Sequence, residues 1–275
     1  MSADDPTKDE AGEPDAEGRR DPLMVAAIVK AFDVVKHIAS VHKQPTLGEI
    51  ARACGISFQS AQRITNGLVE SGYLDRDERL KTYRFSLRTL DLQYTYLRTD
   101  NLLKSAWPIL MGLREQTQMR VSLCVLDGTE IVFLLRLSSN PKDFETLLIG
   151  RRRVAALTAG GSAVLSTLPP EERRRIVEAS DLTPLTPRSI VDPEAILARL
   201  DACEKQGFCI RDQETHVGEI TAAVPLATVN GRAPHAIVVA GPGKGRTVDD
   251  FRRDIVPLLQ NAAIALDRAH GPDTA

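Results

Sequence analysis

Two short helices joined by a tight turn are the feature that most restricts the fold of this chain, and residues 46–71 encode them. Thr46 and Glu49 form a capping box, in which the two side chains satisfy backbone amides at the start of a helix. Gly55 ends that helix, and Ser57 can cap a second helix two residues later. This pairing is typical of a helix-turn-helix unit.

The flanking sequence extends the unit on both sides. Apolar residues recur at three- and four-residue spacing over 24–40 and predict a preceding helix. Gly72 can stop the last helix, and the segments 73–76 and 82–87 predict two strands around a charged turn. Three helices and a hairpin in this order predict a winged helix-turn-helix over residues 23–86.

The last of the three helices has two different faces. Its apolar stripe, expected to pack on the first two helices, consists of Phe58, Ala61, Ile64 and Leu68. Its other stripe carries Gln and Arg, the side chains that commonly read adenine and guanine in the major groove. The neighbouring hydroxyl groups and the basic hairpin are suited to contacts with phosphate groups. The predicted DNA-binding residues are Thr46, Ser57, Gln59, Ser60, Gln62, Arg63, Asn66, Arg76, Lys81 and Arg84.

A polar helix face on its own is more often simply solvated, so the charge around it matters. The formal net charge of the chain is −2, but residues 23–98 hold eleven basic and seven acidic side chains. The acidic excess lies in residues 1–22, where eight acids, three bases and few large apolar residues predict a disordered tail. The basic stretch therefore coincides with the predicted winged helix, which favours double-stranded DNA as its partner.

Several classes of protein are disfavoured by what the sequence lacks. No apolar run reaches the length of a membrane span and the N-terminus does not resemble a signal peptide, so we expect a cytoplasmic protein without a membrane partner. Four cysteines without a Cys-x-x-Cys motif, and five scattered histidines, favour reduced thiols and no metal site. Nothing in the sequence indicates a cofactor.

The remainder of the chain predicts an α+β domain. A helical segment over 87–104 is interpreted as a linker, and residues 105–270 as a second domain followed by a short tail, 271–275. Strands over 121–126 and 131–135 flank an Asp-Gly turn, and later strands and helices are grouped without regular alternation. We expect an antiparallel sheet.

Local signals fix further boundaries in this domain. Asp192, Pro193 and Gly207 predict the start and end of a helix over 193–206. An Asn230-Gly231 turn between two strands predicts another hairpin. Thr247 begins a final helix that runs to about Ala269, with a kink expected at Pro257.

Several segments of the sequence are similar to those of a known family. In the first domain they are Thr46-Leu-Gly-Glu-Ile-Ala-Arg-Ala-Cys-Gly-Ile56, Ser60-Ala-Gln-Arg-Ile64 and Leu68-Val-Glu-Ser-Gly-Tyr-Leu74. In the second domain they are Val125–Val132, Gly150–Ala163, Gln206–Phe208 and Gly218–Pro225. Through these segments the sequence resembles the IclR family of bacterial transcriptional regulators. The resemblance implies a winged-helix domain, a linker helix and a GAF-like effector-binding domain, acting as a homodimer or dimer of dimers on a pseudo-palindromic operator.

The resemblance also implies a pocket for a small organic effector. It assigns to that pocket Arg153, Thr158, Ala159, Gly160, Gly161, Arg211, Glu219, Thr221, Val238 and Ala240. Two of these, Val238 and Ala240, replace hydroxyl residues of some relatives and favour a ligand with an aromatic or hydrocarbon body. Arg153 or Arg211 is expected to clamp its carboxylate, unless both arginines are solvated.

The resemblance predicts a regulator of a catabolic operon, more readily a repressor than an activator, and not an enzyme. The alternatives are an enzyme or a ligand-binding interaction protein that carries a helical head. The polar group Asp212, Glu214, His216 and Glu219 is the strongest catalytic candidate, but no nucleophile motif or metal-ligand spacing accompanies it.

Overall fold

The computed structural model describes residues 26–138, 148–227 and 234–269, in two compact units that divide at Thr95 and Tyr96. The predicted tails at 1–22 and 271–275 and the Asn230-Gly231 turn lie outside the described residues. Within the described part of the chain, no helix is long and apolar enough to cross a bilayer.

The first unit is the winged helix-turn-helix predicted from the sequence. Its elements are α1 (Ala26–Ser40), α2 (Leu47–Ala53), α3 (Phe58–Glu70), β1 (Leu74–Asp77) and β2 (Thr82–Phe85). The two strands are antiparallel and form the wing. Its small core consists of Val34, Ile38, Ile50, Ala51, Ala61, Leu74 and Tyr83.

One core prediction in this unit is wrong. Phe58 was expected to pack with the apolar stripe of α3, but its side chain is 57% exposed. It is the first residue of the helix, where no element of the unit's core reaches it. Thr65 is fully buried instead and donates its hydroxyl to the carbonyl of Gln62, which satisfies its polar group.

The linker is not one helix to residue 104. Helix α4 (Thr89–Thr99) ends before Asp100, whose extended backbone and side chain cap a new helix, α5 (Asn101–Thr117). The Asp100 carboxylate accepts a hydrogen bond from the amide of Leu102 at 2.8 Å. Continuous helical periodicity concealed this break, because an N-cap aspartate also fits the polar face of a helix.

The second unit is built on a six-stranded antiparallel sheet in the order β5-β4-β3-β8-β7-β6. The strands are β3 (Arg120–Asp127), β4 (Glu130–Leu137), β5 (Arg152–Val154), β6 (Cys209–Asp212), β7 (Glu219–Pro225) and β8 (His235–Pro242). The α+β class with an antiparallel sheet is therefore confirmed. Arg151 leads into the edge strand β5, and Arg152 and Arg153 form part of it.

Helices cover both faces of this sheet. One face packs on α5 and on a C-terminal helical segment that comprises α9 (Val248–Asp250), a π-helical turn (Phe251–Ile255) and α10 (Val256–Ala269). The other face packs on α6 (Ala159–Leu165), α7 (Pro170–Glu178) and α8 (Pro193–Gln206). The π-helical turn lies just before Pro257, which has no amide to continue the α-helical hydrogen bonds. The kink expected at Pro257 itself stays a prediction.

The prediction that all the cysteines are reduced is wrong for two of them. Cys203 in α8 and Cys209 in β6 form a disulfide across the left-handed turn at Gly207, with their Cα atoms 5.2 Å apart. The helix stop and the immediate start of a strand bring the two residues together. Cys54 and Cys124 are free thiols.

Candidate DNA-reading surface and ligand cavity

Helix α3 displays the side chains predicted to read bases. Gln59, Gln62, Arg63 and Asn66 are exposed, and their side chains make no hydrogen bond or ion pair with the described part of the chain. Their donors and acceptors are therefore available to a partner. Ser57 holds the start of the helix by accepting a hydrogen bond from the amide of Ser60 at 3.2 Å.

The capping box of α2 also contacts the wing, because its first residue, Thr46, pairs with a wing strand. The Thr46 hydroxyl donates to Glu49 at 2.8 Å, so Thr46 has a structural partner already, and its backbone forms a bridge with Thr82 of β2. The hydrogen bond that the Thr46 amide donates to Glu49 at 2.7 Å, together with that from the Thr46 hydroxyl, holds the pKa of Glu49 below its ordinary value.

Each basic residue predicted for the wing has an acidic neighbour. Arg76 and Lys81 both pair with Glu78, at 3.5 and 2.8 Å, and Arg84 pairs with Asp75 at 3.3 Å. All three pairs are exposed, where an ion pair contributes at most about 1 kcal/mol. A phosphate group can therefore replace the carboxylate at little cost.

The second unit contains a cavity between the sheet and the start of α6. Its empty volume is about 490 Å³, counting the open mouth. Of the residues assigned to the pocket by resemblance, six line it: Arg153, Thr158, Ala159, Gly160, Thr221 and Val238. The other lining residues are not among those that the resemblance assigned to the pocket: Arg120, Ser122, Ile131, Phe133, Arg136, Arg151, Thr215 and His216.

Strand register explains the missed residues on β3 and β4. Ser122 lies opposite Val238 on one side and opposite Arg136 on the other, so a cavity bounded by Val238 also meets Arg136. Strict alternation along β3 places Arg120 on the same face as Ser122. The residues were detectable from the sequence once the pairing of the two strands was known.

The expectation that Arg211 clamps a ligand is contradicted. Its guanidinium is 2% exposed and lies outside the cavity lining, and so do Gly161, Glu219 and Ala240. Arg211 pairs with Glu214 at 2.7 Å and donates to the carbonyl of Ala156 and the hydroxyl of Ser162. Burial lowers the pKa of Arg211 to about 10, and Glu214 opposes that shift.

Arg136 occupies the position that Arg211 was expected to hold. Its guanidinium stacks on the ring of Phe133 at 4.1 Å from the centroid, and its Nε is buried without a hydrogen-bond partner. No ion pair compensates its charge within the described residues. Burial is the main cause that lowers its pKa to about 10, followed by the charges of Arg120 and Arg151.

Two further ionisable groups shape the cavity. Arg120 forms a bidentate pair with Glu219 at 2.7 and 3.0 Å, so Glu219 contributes by holding a lining residue. His216 has a lowered pKa because burial disfavours its cation, an effect that the nearby arginines reinforce and Glu219 opposes. The neutral imidazole leaves arginine as the source of positive charge in the cavity.

The polar group Asp212, Glu214, His216 and Glu219 does not form a catalytic arrangement, because each of its carboxylates is paired with an arginine. Asp212 pairs with Arg188, Glu214 pairs with both Arg199 and Arg211, and Glu219 pairs with Arg120. Carboxylates neutralised by arginine are poor general bases. No cluster of three potential metal ligands occurs in the described ranges.

A winged helix-turn-helix with an unpaired polar reading face defines the protein as a DNA-binding transcriptional regulator. The model of the IclR helix-turn-helix domain matches residues 27–78, and that of the bacterial transcriptional regulator IclR C-terminal domain matches residues 94–268. The chain belongs to the IclR family.

Similar proteins align with nearly the whole chain. The Pca regulon regulatory protein of Pseudomonas putida is 25% identical over 244 residues, which span 88% of this chain and 83% of that protein. The p-hydroxybenzoate hydroxylase transcriptional activator of Acinetobacter baylyi is 28% identical, over 87% and 89% of the two chains. A transcriptional regulator from Rhodococcus sp. RHA1 superposes with a TM-score of 0.72 at 27% identity, covering 89% of this chain and 98% of that one.

Proposed function

We propose that the protein binds a pseudo-palindromic operator as a homodimer or dimer of dimers, represses a catabolic operon, and loses DNA affinity when an aromatic or other carboxylate occupies the cavity of its second unit. The observation that carries the DNA-binding part is the exposed, unpaired stripe Gln59, Gln62 and Arg63 next to the basic wing. In a helix-turn-helix protein the recognition helix enters the major groove, so this stripe of α3 would face the base edges.

The reading role of α3 has a direct test. An operator is first selected by the wild-type protein from random DNA and is then titrated with the Arg63→Ala variant. We expect this variant to lose about 1–3 kcal/mol of binding free energy and to show a relaxed base preference at one position of each half-site. Lys81→Ala and Arg84→Ala weaken all sequences alike and flatten the salt dependence. Arg175→Ala, an exposed arginine of the second unit, is the control. Unchanged binding by Arg63→Ala removes it from the reading face.

Oligomerisation is supported by exposed apolar side chains on separate elements. On α1, Ile28 and Phe32 are more than half exposed, and on α4 so are Leu90, Leu92 and Tyr94. One winged helix covers a half-site only, and specific recognition usually joins two by symmetry. Sedimentation showing a 30.1 kDa monomer at micromolar concentration, with a non-palindromic footprint, would contradict the dimer.

The carboxylate effector is supported by the composition of the cavity. Apolar walls from Ile131, Phe133 and Val238 surround a desolvated Arg136 that has no carboxylate of its own among the described residues. A ligand anion would supply the missing partner in a buried setting, where such a pair is strong. The names of two relatives, which refer to p-hydroxybenzoate hydroxylase and to Pca genes, favour an aromatic acid.

Calorimetry decides the effector class. We expect 4-hydroxybenzoate and related aromatic acids to bind more tightly than their neutral amides, and Arg136→Gln to abolish that difference. Arg175→Gln serves as the matched control. Equal affinity for acid and amide in the wild-type protein would rule out the anion anchor, and operator binding that ligand leaves unchanged would rule out the regulatory link.

Repression is proposed because a regulator bound across a promoter blocks polymerase by occupancy alone, without a dedicated contact surface. The relative from Acinetobacter baylyi is named an activator, so the assay must detect both directions. A reporter driven by the selected operator is expected to be expressed more strongly when the gene for this protein is deleted. Lower expression on deletion would reverse the sign.

A further inference from the structure

Phe58 is exposed at the start of the helix that carries the base-reading side chains. It is the first residue of α3, directly after the cap Ser57, and 57% of its side chain is accessible. It belongs neither to the core of the first unit nor to the half-buried apolar residues packed against that core. Nothing in the fold of this unit requires an aromatic ring there.

The position of Phe58 sets it apart from ordinary exposed apolar residues, which need no explanation when they occur singly. Residues four apart on a helix are neighbours on one face, so Phe58 lies one turn before Gln62 and next to Gln59. Both glutamines are exposed, and their side chains have no hydrogen-bond partner among the residues that the structure describes. In a docked helix-turn-helix, the first turns of the recognition helix are the part that approaches base edges.

The major groove offers one apolar group to such a ring. Each base pair presents donors and acceptors there, and only thymine adds a methyl group, at C5. A phenyl ring placed among glutamines therefore has a defined complement in DNA. It cannot pair with a phosphate, and burying it against a polar base edge would gain little.

We propose that Phe58 contacts the C5-methyl group of a thymine in each half-site, beside the base that Gln62 reads. This inference rests on the proposed operator binding and adds an apolar element to a polar reading face. It makes Phe58 a residue that determines sequence preference.

The test removes single methyl groups from the DNA. Each thymine of the selected operator is replaced in turn by deoxyuridine, which pairs identically but lacks the methyl. Losing one buried methyl corresponds to about a fourfold change in affinity. We expect wild-type protein to lose about that factor at one thymine per half-site, and Phe58→Ala to bind more weakly but show no effect of deoxyuridine at that thymine. Phe58→Leu is expected to retain part of the sensitivity.

Controls separate this inference from the proposed function. Val217→Ala, which truncates an exposed apolar side chain of the second unit, should bind both forms of DNA as the wild type does. If no thymine shows coupling to Phe58 while Arg63→Ala still loses affinity, the inference is wrong and operator binding stands. If Phe58→Ala lowers the melting temperature as a core truncation does, Phe58 packs within the protein and the inference also fails. If wild type selects no DNA sequence, both fall.

Discussion

Replacing Glu214 by glutamine is expected to destabilise the second unit strongly. Glu214 is 8% exposed and accepts hydrogen bonds from both Arg211 and Arg199. Glutamine keeps the shape of the side chain but removes its charge. Arg211, which is 2% exposed, would then remain charged with neutral acceptors only: the carbonyl of Ala156, the hydroxyl of Ser162 and the amide oxygen of the introduced glutamine.

The expected magnitude follows from this burial. Breaking a buried ion pair by removing one partner costs about 3–5 kcal/mol, because the other charge stays desolvated. For a unit of this size, that loss corresponds to a fall in melting temperature on the order of 10 °C. An exposed pair contributes about 1 kcal/mol or less, and Arg174 with Glu194 is such a pair, 2.6 Å apart.

The assay is urea unfolding of the full chain, followed by the fluorescence of Trp107, the single tryptophan, which lies in α5 of the second unit. Glu214→Gln is compared with Glu194→Gln. The double variant Arg211→Met/Glu214→Leu is expected to recover much of the loss, since apolar replacement of a whole buried pair is often neutral. Equal destabilisation by Glu214→Gln and Glu194→Gln would refute the reasoning.

Three other predictions concern stability. Gly161→Ala would make the new Cβ clash with the backbone of Ala155 and should prevent correct packing of α6. Gly112→Ala, whose new Cβ meets nothing within 4 Å, should be neutral or stabilising by about 1 kcal/mol, and thermal unfolding compares the two variants. Thr46→Ala should cost about 1 kcal/mol by removing a cap, measured in urea. Folding lowers the pKa of His216, so the unfolded chain binds a proton at this residue more readily than the folded chain does. The stability of the fold is therefore complete above the ordinary histidine pKa of about 6.5 and falls as the pH drops through that value. His216→Gln should reduce this loss of stability at low pH.

Local signals in the sequence predicted the ends of helices well. The caps at Thr46, Ser57, Asp192 and Thr247 are all present, because an N-cap bond joins residues within one turn of each other. Tertiary neighbours were harder to predict. Helical periodicity assigns Phe58 to an apolar stripe, but whether a partner exists at the first turn depends on elements distant in sequence.

The cavity was half predicted for the same reason. The resemblance identified the lining segment Thr158–Gly160 and the lining residues Thr221 and Val238, because these positions can be recognised from the sequence around them. It did not give Arg120 or Arg136, because β3 reaches the cavity through its pairing with β8, and β4 reaches it through its pairing with β3. The disulfide between Cys203 and Cys209 likewise depends on how closely a strand follows a helix.

Arg136 and Arg211, whose Nε atoms are both buried without a hydrogen-bond partner, differ in one respect that the sequence does contain. Arg211 is followed three residues later by Glu214, and a left-handed residue between them, Gln213, turns the chain so that the two side chains meet. Arg136 has no carboxylate in direct contact within the described residues, and its desolvation is offset by the ring of Phe133 and by the more distant charge of Glu219. Burying a guanidinium is costly unless an anion accompanies it. A ligand carboxylate would do for Arg136 what Glu214 does for Arg211, so the effector proposed above would bind at Arg136, whereas Arg211 belongs to the framework of the unit.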